Sequence, residues 1–129
     1  MILRTGIDMI EIARLEEIRP RIKTRFLKRV FTPLELAECE GQSVSLSGRF
    51  AAKEAVAKAL GCGIGPIGWQ EIEIQRGSNG EPRLQLYGKA QTFAQSLGLD
   101  TWSVSISHCK EYAIAVAVAL SQVESRVLD

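Results

Sequence analysis

The chain of 129 residues has one histidine, His108, so any mechanism needing several imidazoles is excluded. Its cysteines, Cys39, Cys62 and Cys109, are odd in number and widely spaced. They form neither a disulfide framework nor a zinc motif, and read as reduced thiols in the cytoplasm. No apolar run reaches the roughly 18 residues that a membrane span needs. The opening, MILRTGIDMIEI, has an acid within its apolar stretch and lacks a signal-peptide plan. Net charge is only +1, which speaks against a general nucleic-acid binder. Linkers, low-complexity tracts and internal repeats are also missing. Hydrophobic content of 46% and charged content of 24% are ordinary for a globular protein.

What is present fits a single domain over 1–129. So short a chain leaves about a third of its unfolded surface exposed after folding, and one copy would struggle to wall a deep pocket for a large substrate. The near-neutral sum also hides a segregated distribution. From Arg14 to Arg29 seven bases face two acids, +5 in sixteen residues, and Glu35, Glu38 and Glu40 follow with no base before Arg49. The basic run is either a solvated helical face or a docking surface for an acidic partner.

Ile2 to Ile10 predicts a strand and Glu11 to Ile18 a helix, interrupted at Pro20. Ile22, Phe26 and Val30 predict a further short turn or two. Thr32-Pro33-Leu34-Glu35 is a helix start, with an N-cap, Pro at the first position and an acid to close a capping box. Leu46 to Leu60, with five alanines and no proline, predicts the longest helix, stopped by Gly61 and Gly63. Glu71 to Gln75 and Arg83 to Tyr87 alternate on either side of an Asn-Gly turn, a hairpin. A short helix over Lys89 to Leu97 follows. Trp102, Val104, Ile106 and His108 then share one strand face, and Tyr112 to Leu120 is the last strand. The polar tail, Ser121 to Asp129, is expected to fray. Strands joined as hairpins predict an α+β fold, an antiparallel sheet packed against a long central helix.

Several polar residues stand in apolar company. Asp8 is a carboxylate inside Gly6-Ile7-Asp8-Met9-Ile10, and needs a partner, a cation or water; it can equally cap the next helix. Glu54, among Phe50, Ala51, Ala55 and Ala57, lies four residues from Lys58, which allows a simple helical ion pair. If Asp8 and Glu54 converge, they instead offer oxygen ligands to Mg²⁺, which takes one or two carboxylates and fills its shell with water and phosphate. Arg49, Lys53 and Lys58 add cations suited to phosphates. His108 is either structural or functional. The serines at 103, 105 and 107 belong to no triad, and Gly61-Cys62-Gly63-Ile64-Gly65 lacks the context of a phosphate-binding loop.

Three segments taken together resemble a known family: Gly6-Ile7-Asp8-Met9-Ile10-Glu11-Ile12; Gly48-Arg49-Phe50-Ala51-Ala52-Lys53-Glu54-Ala55 with Lys58-Ala59-Leu60-Gly61; and Ser105-Ile106-Ser107-His108 before Tyr112-Ala113. With Phe31-Thr32-Pro33-Leu34-Glu35 and Gly80-Glu81-Pro82, the chain is similar to the holo-[acyl-carrier-protein] synthase family of small 4′-phosphopantetheinyl transferases from about Ile7 to Val118. The resemblance implies that fold, and transfer of 4′-phosphopantetheine from coenzyme A to a serine of apo acyl carrier protein. It implies Asp8 and Glu54 as Mg²⁺ ligands, with Lys58 beside them as a catalytic group near the transferring phosphate. It places Arg49, Lys53, Lys58, Gly61, Pro82 and His108 at coenzyme A. It sets Arg14, Arg21, Arg25 and Phe26 to dock the acidic carrier protein, and implies a homotrimer with sites at subunit interfaces. Cys109 departs from the small polar or acidic residue more common at its position, and Cys62 from the Thr or Ser common at its own. Neither a nucleic acid nor a membrane is expected as partner.

Overall fold

A computed structural model describes residues 1–121. In chain order the elements are β1 (Leu3–Glu11), α1 (Ile12–Glu16), α2 (Pro20–Val30), α3 (Pro33–Cys39) and α4 (Ser43–Leu60), then β2 (Ile72–Arg76), β3 (Pro82–Leu86), α5 (Gly88–Ser96), β4 (Thr101–His108) and β5 (Tyr112–Leu120). A 3₁₀ turn, Trp69–Glu71, precedes β2. The antiparallel strands β1, β5 and β4 form one sheet with β5 at its centre, and β2 and β3 form a separate hairpin. The architecture is the expected α+β, with two sheets rather than one. The tail beyond 121 lies outside the described residues.

The three-stranded sheet packs on α4 through small residues. Ala113, Ala115, Ala117 and Ala119 of β5 are buried, as are Ala51, Ala52, Ala55 and Ala59 of α4. An interface of alanines lets helix and sheet backbones draw together. The limit is reached at Gly6 on β1. A Cβ built there would fall inside the carbonyl of Ala55 and 2.9 Å from the nitrogen of Ala59. Arg4, two residues earlier on the same face, donates from Nε to the Ala59 carbonyl at 3.1 Å and from Nη2 to the Leu60 carbonyl. These carbonyls are among those a helix C-terminus leaves unpaired, so Arg4 caps α4 while tying it to β1.

Element boundaries differ from expectation where a tertiary partner intervenes. α4 begins at Ser43, three residues early, and α1 is a five-residue helix ending at Glu16. The break expected at Pro20 is present between α1 and α2. Pro20 itself opens α2 at its first turn, where the missing N–H is no loss, and α2 runs eleven residues, longer than the turn or two expected. The Thr32 capping box forms as expected, with the Thr32 hydroxyl accepting from Glu35 N and the Glu35 carboxylate from Thr32 N. Leu15, Val30, Phe31, Cys39 and Leu46 make a second core where the first three helices meet α4.

The contact at Gly6 is backbone against backbone, so a Cβ placed there cannot be relieved by a rotamer. Gly6→Ala is expected to lose about 3 kcal/mol of stability, the upper end for overpacking. Urea unfolding that shows no loss would remove the close approach as a constraint.

Candidate functional site

Alternation along β1 puts Arg4, Gly6, Asp8 and Ile10 on the α4 side and Ile7 and Met9 on the other. Asp8 therefore meets the last two turns of α4, which carry Glu54 and Lys58. Lys58 Nζ donates to Asp8 Oδ1 at 3.2 Å and to the Ile7 carbonyl at 2.9 Å. The helical ion pair with Glu54 is not made, since Lys58 crosses to β1 instead. Among the described residues Glu54 has no hydrogen-bond partner. Its carboxyl is pushed up from the usual 4.5 by partial burial and then by the Asp8 charge, with Lys58 opposing. A carboxyl pushed up by burial and by a neighbouring carboxylate is one that a cation would relieve.

That donor set suits a hard cation with few protein ligands. Among the described residues no group of three or more His, Cys, Asp or Glu converges. Two carboxylates with open positions for water and phosphate oxygens match magnesium better than a structural zinc site.

Asp8 and Glu54 sit on the wall of a cavity of about 350 Å³. Its other lining residues are Met9, Ile10, Arg14, Leu15, Ile18, Phe26 and Phe50, so it is apolar below with carboxylates at one side and a cation at the rim. Two of the four expected docking residues, Arg14 and Phe26, thus stand beside the acidic pair. Arg21 and Arg25 are exposed on α2. The helix is held through Phe26, which lies 5.8 Å from Phe50, whose ring stacks on Trp69 at 5.0 Å. Gln70 Nε2 donates to the carbonyls of Lys28 and Phe31, closing the end of α2.

A second cavity, about 230 Å³, opens at the other end of α4. Arg49, Pro82 and His108, three of the residues expected at coenzyme A, line it together. Arg76, Gln75 and Ser45 line it too, and sequence reasoning missed them. The signal for Arg76 was its place as the last residue of β2, just before the Gly-Ser-Asn-Gly turn that forms the cavity edge. Gly48 also belongs here, because a Cβ would come within 2.8 Å of Ile106. His108 is exposed at the rim, not a buried structural histidine.

Lys53 requires a correction. It is fully buried and cannot touch a ligand. Its ammonium donates to the carbonyls of Trp69 and Ile72 and pairs with Glu35 Oε1 at 2.8 Å. Burial drives Lys53 down, and the Glu35 charge opposes it. With Glu35 also accepting from Thr32 N and Ile74 N, the pair is saturated, the condition under which a buried ion pair is tolerated. Helical spacing alone could not separate Lys53 from Arg49. Gly61 also lies apart from the second cavity. It stands at the C-terminus of α4 with φ 86°, its amide bonded to the carbonyls of Ala57 and Lys58, against Arg4.

Comparison with known proteins follows the same lines. The sequence profile of the 4′-phosphopantetheinyl transferase superfamily matches residues 4–117. The chain is 51% identical over 122 residues to the holo-[acyl-carrier-protein] synthase of Moorella thermoacetica, covering 92% of this chain and 94% of that one. It is 49% identical to the enzyme of that name from Dehalococcoides mccartyi, covering 91% and 98%. Its structure is similar to that of Helicobacter pylori holo-[acyl-carrier-protein] synthase in complex with coenzyme A, with TM-score 0.82, 37% identity, and 90% and 99% coverage.

The raised carboxyl of Glu54 has a consequence for stability. In the pH range from about 4.5 upward the folded chain binds more proton at Glu54 than the unfolded chain does. Stability contributed by the protonated form is therefore present below that range and lost as pH rises through it. Glu54→Gln is expected to remove this loss, so that in chelator-containing buffer the variant gains on the parent as pH increases. Urea unfolding at several pH values checks this, and parallel curves would refute it.

Proposed function

The chain belongs to the 4′-phosphopantetheinyl transferase superfamily, and from that membership we propose that it transfers 4′-phosphopantetheine from coenzyme A to a serine of apo acyl carrier protein. The observation that carries the reading is the convergence of Asp8, Glu54 and Lys58 beside a cavity bordered by the basic helix α2. In the reaction the serine oxygen bonds to the phosphorus bearing pantetheine. The bridging P–O bond breaks, adenosine 3′,5′-bisphosphate leaves with the electron pair, and the serine hydroxyl's proton is released to solvent. Asp8 and Glu54 would hold Mg²⁺, which would supply charge neutralisation at the phosphate oxygens. Lys58, oriented by the Ile7 carbonyl and Asp8, presents a cation to the transferring phosphate. Arg14, Arg21 and Arg25, with the Phe26 ring, receive the acidic carrier protein.

The distribution of residues along α4 supports a shared site. Arg49 and Lys58 are nine residues apart, about 13 Å of helix. Arg49, Pro82 and His108 thus stand at one end of α4, and Asp8, Glu54, Lys58 and Gly61 at the other. Neither group alone surrounds a molecule as long as coenzyme A. The sheet face turned away from α4 offers a means of joining them. Leu3, Ile7, Met9, Tyr112 and Val116 are exposed large hydrophobics on that face, with the serines of β4 beside them. An apolar face of this kind marks an association surface. A homotrimer would cover it and set one end of α4 beside the opposite end of its neighbour. Three free cysteines, and no helix long and apolar enough to cross a membrane among the described residues, accord with a cytoplasmic place of work.

Mass-resolved transfer from coenzyme A to apo acyl carrier protein is expected with Mg²⁺ and not after chelation. Glu54→Gln should fall by at least about a hundredfold while remaining folded, the scale of losing one charge-stabilising group. Full turnover in that variant would sink its role as ligand. No transfer by the parent to any of several carrier proteins would sink the function.

For assembly, the expected outcome by sedimentation is a trimer, and Val116→Lys should shift it toward monomer. A parent chain that is monomeric and fully active overturns the shared site.

A further inference from the structure

We infer that Glu38 is a positioning residue for coenzyme A, holding Arg49 and the end of β2 in the geometry that receives its phosphates. The inference rests on the reading of the second cavity as part of the coenzyme A site. Glu38 lies on α3, outside the cavity lining, and reaches it through two neighbours. Its Oε1 accepts from Arg49 Nη1 at 2.9 Å and from the backbone N of Arg76 at 3.0 Å. The bond is returned from the other side, where Arg76 Nη2 donates to the Glu38 carbonyl at 2.7 Å. Arg49 Nη1 also donates to the Ile74 carbonyl at 2.8 Å. Three elements, α3, α4 and β2, are therefore bound at one point, and two of the residues bound, Arg49 and Arg76, line the cavity.

The geometry decides which edge of Arg49 is available. Nη1 is committed to Glu38 and Ile74, whereas among the described residues Nη2 and Nε have no protein partner. Arg49 is nearly buried, at 7% exposure, so it has little freedom to choose another pose. A guanidinium held by one nitrogen and free along its other edge is prepared for two-point recognition of a phosphate. Glu38 also closes the amide of Arg76, fixing where β2 ends and the cavity-edge turn begins. Without that acceptor both the guanidinium and the strand end would be free to shift. A phosphate would then have to order them at the cost of its own affinity.

The alternative effect of an acid so near a phosphate site is repulsion, which has the opposite sign, and three variants separate them. Glu38→Ala removes both acceptor and charge. Glu38→Gln keeps the acceptor without the charge. Glu38→Asp keeps the charge but withdraws it by one methylene. Calorimetric titration of the full-length protein with coenzyme A, together with steady-state kinetics, reads the result.

Glu38→Ala is expected to raise Kd and KM for coenzyme A about tenfold, as for loss of a charge-assisted bond. Its kcat should stay within about twofold, and its KM for carrier protein should not move. Glu38→Asp is expected to raise KM about threefold, while Glu38→Gln stays near the parent. Equal affinity in the parent and in the Ala and Asp variants overturns the proposal, as does tighter binding in both Ala and Gln. If the parent itself does not bind coenzyme A, the cavity assignment fails and this proposal goes with it. Binding by the parent with unchanged variants defeats only the role of Glu38.

Discussion

The distance between β1 and α4 is set by backbone against backbone, and the acidic site depends on it. Gly6 has no side chain because the Ala55 carbonyl occupies the place where one would be. On either side of it the two elements are fastened, by Arg4 to the last carbonyls of α4 and by Lys58 to the Ile7 carbonyl and Asp8. These hydrogen bonds join residues fifty or more positions apart. They fix both the register and the separation of the two strips carrying Asp8 and Glu54. Two carboxylates from separate elements can share a cation only if their backbones are held rigidly, since a bound ion tolerates little error in ligand position.

The other end of α4 is governed by buried charge instead of close approach. Lys53 and Glu35 are fully buried, an arrangement that costs desolvation and is justified only by complete hydrogen bonding. Their bonds run to the 3₁₀ turn, to β2 and to the start of α3, the parts that carry the β2–β3 hairpin. Glu73 extends the network by accepting from the Thr32 and Tyr87 hydroxyls and the Gln75 amide, which hold its carboxyl below its usual range despite the desolvation that opposes them. The hairpin shares no ladder with the main sheet, so side-chain polar bonds do the joining that strand pairing does elsewhere. Hydrogen bonds of this kind are directional, and they specify where the hairpin sits better than apolar contact could.

Much of this was legible in order along the chain and little of it across the chain. Alternation found β2, β3 and β4 and apolar runs found β1 and β5, while the Thr32 capping box and the Gly61 stop were read from residue type alone. Asp8 stood out as an acid in an apolar strand, and Glu54 as an acid among alanines. Local patterns could not tell Arg49 from Lys53. Both are cations on the same helix, yet one borders a cavity and the other is enclosed. The difference lies in Glu35, eighteen residues before Lys53, and in the carbonyls of Trp69 and Ile72 beyond it. Arg76 was overlooked for the same reason, since only the folded hairpin brings it beside Arg49. Pro20 is a case of another kind. The break it signals is there, between α1 and α2, but its fixed φ and missing donor also suit a first turn, and that is where α2 uses it.

The expectation that one short chain cannot enclose a large substrate gains a physical form from the fold. α4 is the only long helix among the described residues, and its two ends serve different chemistry: arginine with histidine at one, carboxylates with lysine at the other. Along this buried, alanine-rich helix Arg49 and Lys58 stand about 13 Å apart. In the proposed trimer, repetition would close the gap without added chain, because the face of β1 and β5 turned away from α4 carries the exposed Leu3, Ile7, Met9, Tyr112 and Val116. A ring with head-to-tail contacts places unlike ends of neighbouring copies together, which a two-fold dimer does for only some geometries. Small size and a divided site are then one constraint: the sheet face that a monomer leaves exposed is the surface through which a trimer would complete its active centre.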